Sequence, residues 1–233
     1  MAITVTASQG GTGTFNGIAL TVKVLLNAAA TQNGATFSDT STLTTPQHAI
    51  TPNATGSWVY GAVYNDAAAT AYTPNGSTTF SQNVTFAGDG CTFGTFRTTG
   101  TTTSGTPVTV GASAPTEPTG TLSFALAEVL VMAGQSLAED ASSPAGANTT
   151  AATTVTTASF TPPGGSLLVA MVSNNYAGTG TLTMTVSDTS GLSWSQAIGE
   201  TIDSASVWLA RVPPVPNKAR ALNTQSVMRA ALW

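Results

Sequence analysis

The sequence predicts an all-β protein, a jelly-roll-like β-sandwich, and three observations carry that prediction. Short runs of alternating apolar and polar residues recur between Gly, Pro and Asn punctuation, as in half-buried strands joined by turns. Roughly one residue in five is Thr, and β-branched residues suit a pleated surface. Charged residues make up 7% of the 233, while 41% are hydrophobic. An ordinary soluble domain carries about 25% charged residues. The apolar content argues against disorder. Hydroxyls and small side chains must then cover the surface, which suits a protein packed against neighbours.

The strands expected in the first half are "AITVTAS", "IALTVKVLLNA", "GSWVYGAVYN", "TTFSQNVTF", "CTFGTFRTT", "PVTVGAS" and "TLSFALAEVLVM". In the third of these, Trp58, Tyr60, Ala62 and Tyr64 share one face and Val59, Gly61 and Val63 the other, because side chains alternate with period two. Both faces are largely apolar, so this strand is expected at the centre of a sheet, covered on both sides. The stretch 136–154 is polar with Gly and Pro, and reads as a linker. After it come "VTTASF", "SLLVAMVSN", "TLTMTVSD", "LSWSQAIG" and "SASVWLARV". Five strands in about sixty residues are thin for an independent core. The expected organisation is therefore a main β half over 1–135, the linker, and a second β half over 155–212 that completes a sandwich. A C-terminal tail follows over 213–233.

Charge is distributed unevenly. Up to Leu209 the only cations are Lys23 and Arg97, against all ten carboxylates, and Arg211, Lys218, Arg220 and Arg229 follow. An acidic body with a basic tail points the tail at an acidic protein surface; four apolar-flanked cations do not make a nucleic-acid arm. Pro213, Pro214 and Pro216 end the last strand, since proline cannot donate to a ladder. Beyond them Thr224 can cap a short helix over 225–232, with Val227, Met228, Ala231 and Leu232 on one side. Eight residues do not hold as an isolated helix. A docking tail is therefore expected, made of Arg211, Pro213, Pro214, Pro216, Lys218, Arg220, Leu222, Val227, Met228, Arg229, Leu232 and Trp233.

Residues with chemical potential are few. His48 is the sole histidine and reads as a loop residue; without a second His or a Cys beside it no zinc set is expected. Cys91, the single cysteine, reads as a small strand residue and excludes an intrachain disulfide. Glu139 and Asp140 read as solvating the linker, and Asp66, Asp89 and Asp188 as turn residues rather than calcium ligands. Four N-x-S/T sequons, at Asn53, Asn75, Asn83 and Asn148, match chance in so Ser- and Thr-rich a chain. No catalytic residue, metal or cofactor is expected. Tyr60, Tyr64 and Tyr72, with Trp58 and Trp194, raise an alternative: aromatic rings stacking on a glycan. The competing reading places those rings in the core.

"SFTPPGGSLLVAMVSNN", "VSDTSGLSW" and "ASVWLARV" resemble the first half of a β-sandwich module of actinobacterial and actinobacteriophage proteins. "GSWVYGAVYND", "FRTTGTTTSGTPVTVGASAPT" and "FALAEVL" resemble that module's second half. The resemblance covers most of the chain up to Val212 and implies a virion structural protein, capsid decoration or minor tail, with no catalytic residues to carry over. Its halves stand here in reversed order. That implies a circularly permuted sandwich or a strand-swapped one, in which 155–212 pairs with 1–132 of its own chain or of another. A homo-oligomer docked on other virion proteins is expected, made in the host bacterial cytoplasm, with no nucleic-acid or membrane partner. The opening "MAITVTASQGG" lacks an export signal, and no run approaches the roughly 18 apolar residues of a membrane span.

Overall fold

The computed structural model describes residues 1–11, 14–40, 42–150, 152–177, 182–199 and 205–215, all without helix. The early strands are β1 (Val5–Gly10), β2 (Thr14–Leu26), β3 (Thr36–Asp39), β4 (Gln47–Ile50), β5 (Trp58–Asn65) and β6 (Thr73–Pro74). Next come β7 (Thr78–Phe86), β8 (Cys91–Thr98), β9 (Val108–Ala114), β10 (Leu122–Val129), β11 (Ala138–Glu139) and β12 (Ala147–Thr149). The last are β13 (Thr154–Thr156), β14 (Leu167–Ala177), β15 (Thr183–Asp188), β16 (Trp194–Gly199) and β17 (Ala205–Arg211).

These strands form four antiparallel sheets. Two large ones lie at the centre, with strand orders β11-β2-β14-β17-β16 and β3-β10-β5-β8-β7. Two three-stranded sheets, β13-β1-β15 and β4-β9-β6, accompany them. The alternation of side chains decides how the sheets pack. In β14, Leu168, Ala170 and Val172 join Val5, Ala7, Met184 and Val186 of the first small sheet in one core. The intervening Leu167, Val169 and Met171 meet Tyr60, Ala62 and Ala125 in the core between the large sheets. On the far side, Val59, Val63, Phe96 and Phe124 pack against Val110 and Ala112 of the second small sheet. Both large sheets are thus covered on both faces, which is why "LLVAMV" reads as a continuous apolar run. The arrangement is β-sandwich-like, with an extra layer on each outer face.

β5 occupies the centre of its sheet, between β10 and β8. Gly61 is required there, because a Cβ would come within 2.6 Å of Phe96 and Leu126 side-chain carbons. The later strands close on the early strands of the same chain: β14 lies between β2 (Leu168 opposite Val24) and β17 (Leu168 opposite Ala210). The stretch 136–154 differs from a free linker. Its β11 and β12 pair with the outer edge of β2, and the Ser143 hydroxyl accepts the Val24 N–H at 3.0 Å. Composition hid this because each pairing is only two or three residues long. β3 and β4, four residues each, and β6, two, escaped the sequence reading because such runs are too short for periodicity to show.

Candidate functional site

The tail leaves the body at a fixed point. Arg211 ends β17, and its guanidinium donates to the carbonyls of Ala28 (3.2 Å), Gly165 (3.1 Å) and Ala29. It therefore ties the loop after β2 to the turn before β14, and burial lowers its pKa. This residue, expected to face a partner, serves its own chain. Val212 continues the pairing, donating to Ser166 O (3.0 Å) and accepting from Gly165 N (3.0 Å). Pro213, Pro214 and Val215 then run exposed past Gly164. Pro216, Lys218, Arg220, Leu222, Val227, Met228, Arg229, Leu232 and Trp233, with the helix expected over 225–232, lie outside the described residues.

The three tyrosines of the stacking alternative are buried. Tyr60, Tyr64 and Tyr72 are 0%, 5% and 3% exposed. Their hydroxyls donate to Glu139 (3.3 Å), Asp66 (2.6 Å) and the Thr92 carbonyl (3.1 Å). Desolvation first, and then the neighbouring carboxylate, hold the Tyr60 and Tyr64 phenols protonated. No ring face of the three meets solvent, so the platform is corrected to core. The apolar alternation on β5 had already favoured that reading.

Two carboxylates that sequence reasoning undervalued organise the body. Glu139 on β11 receives Arg97 Nε at 2.6 Å and Lys23 Nζ at 3.4 Å, beside the Tyr60 hydroxyl. Arg97 also lies over the Trp58 ring, 4.6 Å from its centroid. Both cations of the body up to Leu209 are thereby committed to one residue of the supposed linker. Glu128 on β10 is 2% exposed and accepts four neutral donors. These are the N–H groups of Ala35 (2.8 Å), Asn53 (2.8 Å) and Ala54 (3.0 Å), and the Ser57 hydroxyl (2.5 Å). A Glu inside the apolar run "FALAEVL" was the signal for it, since a buried carboxylate must be hydrogen-bonded.

A cleft of about 510 Å³ opens beside Glu128, between β3 and β16. Gln32, Asn33, Thr36, Ser193, Ser195 and Gln196 line it, with Arg211 at one end. Several of these groups are already used: Gln32 donates to Ala29 O (2.8 Å) and Leu130 O (3.2 Å) and accepts from Leu130 N (2.7 Å). No aromatic ring lines the cleft.

Of the remaining chemical candidates, Asp188 holds a turn, Cys91 opens β8, and His48, expected in a loop, lies on β4 opposite Val110 of β9. His48 stacks on Phe37 with centroids 3.3 Å apart, and desolvation lowers its pKa against the opposing charge of Asp39. Asp188 accepts from Ser190 N (2.7 Å), Leu192 N (3.0 Å) and Trp194 Nε1 (2.8 Å). Desolvation raises its pKa, but the hydrogen bonds outweigh it and the net direction is down. Burial pushes the Cys91 thiol up to about 11. Among the described residues no group of three or more His, Cys, Asp or Glu is placed to hold a metal ion. No described helix is long and apolar enough to cross a membrane. No protein-family model matches the chain, and no similar curated protein or solved structure was found.

Proposed function

We propose that the chain is a non-enzymatic structural component of a bacteriophage virion, a capsid decoration or tail-associated protein. It assembles as a homo-oligomer on other virion proteins through its C-terminal tail. The supporting observation is where the charges stand. The body up to Leu209 has ten carboxylates and two cations, and both cations are spent on Glu139. Asp66 and Asp89 remain exposed on the surface. The cations available to such a surface are those of the tail, Lys218, Arg220 and Arg229. Opposite charges on two parts of one molecule favour contact between copies and steer their encounter.

The finer fold reading, a circularly permuted jelly-roll-like sandwich, belongs to the same proposal. It rests on the resemblance of the two halves in reversed order and on the placing of β14 between β2 and β17. Virion assembly and host-cytoplasmic synthesis rest on that resemblance. The carbohydrate-binding alternative has no second support, because Tyr60, Tyr64 and Tyr72 are core residues.

Truncation after Val212 tests the reading. Light scattering on the shortened chain is expected to show a smaller species than the full chain, with virion incorporation lost. Unchanged assembly, together with binding on a glycan array, would sink the proposal in favour of its alternative.

A further inference from the structure

An asparagine followed by glycine is a reactive pair. The glycine nitrogen has no side chain beside it to shield it, so the preceding carboxamide can reach it. The sequence has three such pairs, Asn16–Gly17, Asn33–Gly34 and Asn75–Gly76. The first lies within β2, whose backbone is paired with β14. The other two lie between strands, on the segments joining β2 to β3 and β6 to β7. The fold treats these two in opposite ways.

The Asn75 carboxamide is fully engaged. Its Oδ1 accepts the Ser77 N–H (3.0 Å) and the Thr78 hydroxyl (2.9 Å), and its Nδ2 donates to Gln47 Oε1 (3.2 Å). Its main-chain carbonyl accepts the Thr78 N–H (3.1 Å), which closes the turn. Asn33 is exposed, and its hydrogen bond to Asn53 Nδ2 (3.4 Å) is made by its main-chain carbonyl. Its carboxamide and the Gly34 N–H have no hydrogen-bond partner among the described residues. Gly34 itself is required, because a Cβ there would come within 2.5 Å of the Glu128 carbonyl oxygen on β10. The close packing that demands glycine thus also leaves its nitrogen open to Asn33.

We infer that Asn33 is a site of self-modification in the folded protein, where its side chain cyclises onto Gly34 and hydrolyses to aspartate and isoaspartate. The Gly34 nitrogen bonds to Asn33 Cγ, the Cγ–Nδ2 bond breaks, and ammonia leaves with the proton given up by the Gly34 amide. Water then opens the cyclic imide. Opening at Cγ leaves aspartate in the original main chain, whereas opening at the main-chain carbonyl carbon routes the chain through Cγ as isoaspartate. Either product puts a carboxylate on the rim of the cleft between β3 and β16. Isoaspartate also adds a carbon to the backbone just before Gly34, which has no slack against β10. The next residue, Ala35, donates its N–H to Glu128 at 2.8 Å. Modification of Asn33 therefore loosens the buried Glu128 contacts from the surface.

Incubating the full chain in mildly alkaline buffer, with peptide mapping by mass spectrometry, tests this. Asn33 is expected to convert about tenfold or more faster than Asn75, whose hydrogen bonds must open before it can cyclise. In concentrated urea the two sites should convert at similar rates. Equal rates in the folded chain, or conversion of Asn75 first, overturn the inference. The consequence is read separately. The aged chain, with isoaspartate mapped to position 33, should unfold at lower urea than the fresh one, and an Asn33→Gln chain aged alongside it should keep its midpoint. A modified chain with an unchanged midpoint, or an Asn33→Gln chain that weakens equally, overturns the link to Glu128.

Discussion

The two long sides of the sandwich are held shut by different means. On the side of β2 and β8, an ion cluster spans the sheets: Glu139 from the strap takes Arg97 of one sheet and Lys23 of the other. Hydroxyl and amide contacts continue the seam, with Thr21 and Thr95 hydroxyls 2.7 Å apart and Gln82 donating to Leu20 O at 2.8 Å. On the side of β3 and β16 the sheets part around the cleft, and Glu128 holds the loops there with neutral donors alone. A carboxylate about one-fifth exposed, with cationic partners, is open to screening by salt, whereas a buried one on neutral donors is screened much less. The same residue type therefore gives one seam that responds to ionic strength and one that does not.

The largest expected effect comes from breaking the neutral seam. Glu128→Ala removes the acceptor of the part-buried N–H groups of Ala35, Asn53 and Ala54 and of the buried Ser57 hydroxyl. Urea unfolding should show a loss of about 2–3 kcal/mol, the upper range for hydrogen bonds made to a charged group. A loss under 1 kcal/mol would mean that these loops are held by something else. Salt should barely change the result.

Glu139→Ala is the matched test on the other side. Its cluster is about one-fifth exposed, so the expected loss is smaller, about 1–2 kcal/mol at low salt. That loss should shrink as NaCl is raised to 1 M, where the Debye length is about 3 Å. Equal losses at low and high salt would break the comparison between the seams.

The smallest effect concerns pH. The folded state opposes protonation of His48, because desolvation lowers its pKa. Its contribution to stability is complete above the unfolded value of about 6.5 and is lost as pH falls through the lowered folded value. Asp188, also lowered, contributes above about 3.9 and loses its share further down. The thermal midpoint should therefore drop modestly between pH 7 and pH 5, and His48→Phe should flatten that first step. A midpoint that rises on acidification through this window would contradict the assignment.

Most of the strands were legible in the sequence, and the reason is particular. β5, β8, β10 and β14 are each at least eight residues long, and their alternation or apolar runs have room for periodicity to speak. The sequence also showed β5 to be apolar on both faces, and it separated an acidic body from a basic tail. The chemistry of Glu128, Glu139, Lys23 and Arg97 was not legible, because their partners lie far along the chain. Glu139 meets Arg97 across 42 positions and Glu128 meets Ala35 across 93. No local pattern encodes such pairs.

Local composition by itself determined that the chain is all-β, poor in charge and punctuated by turns, since alternation, β-branching and glycine act over a few residues. Only the tertiary structure decided which covered surface faces which. It turned a polar linker into a strap on β2, put Tyr60, Tyr64 and Tyr72 in the core, and spent Arg211 on carbonyls of its own chain. Those outcomes depend on sheet order and on long-range register. Both are set by how four sheets bury their faces together, and not by any single stretch of sequence.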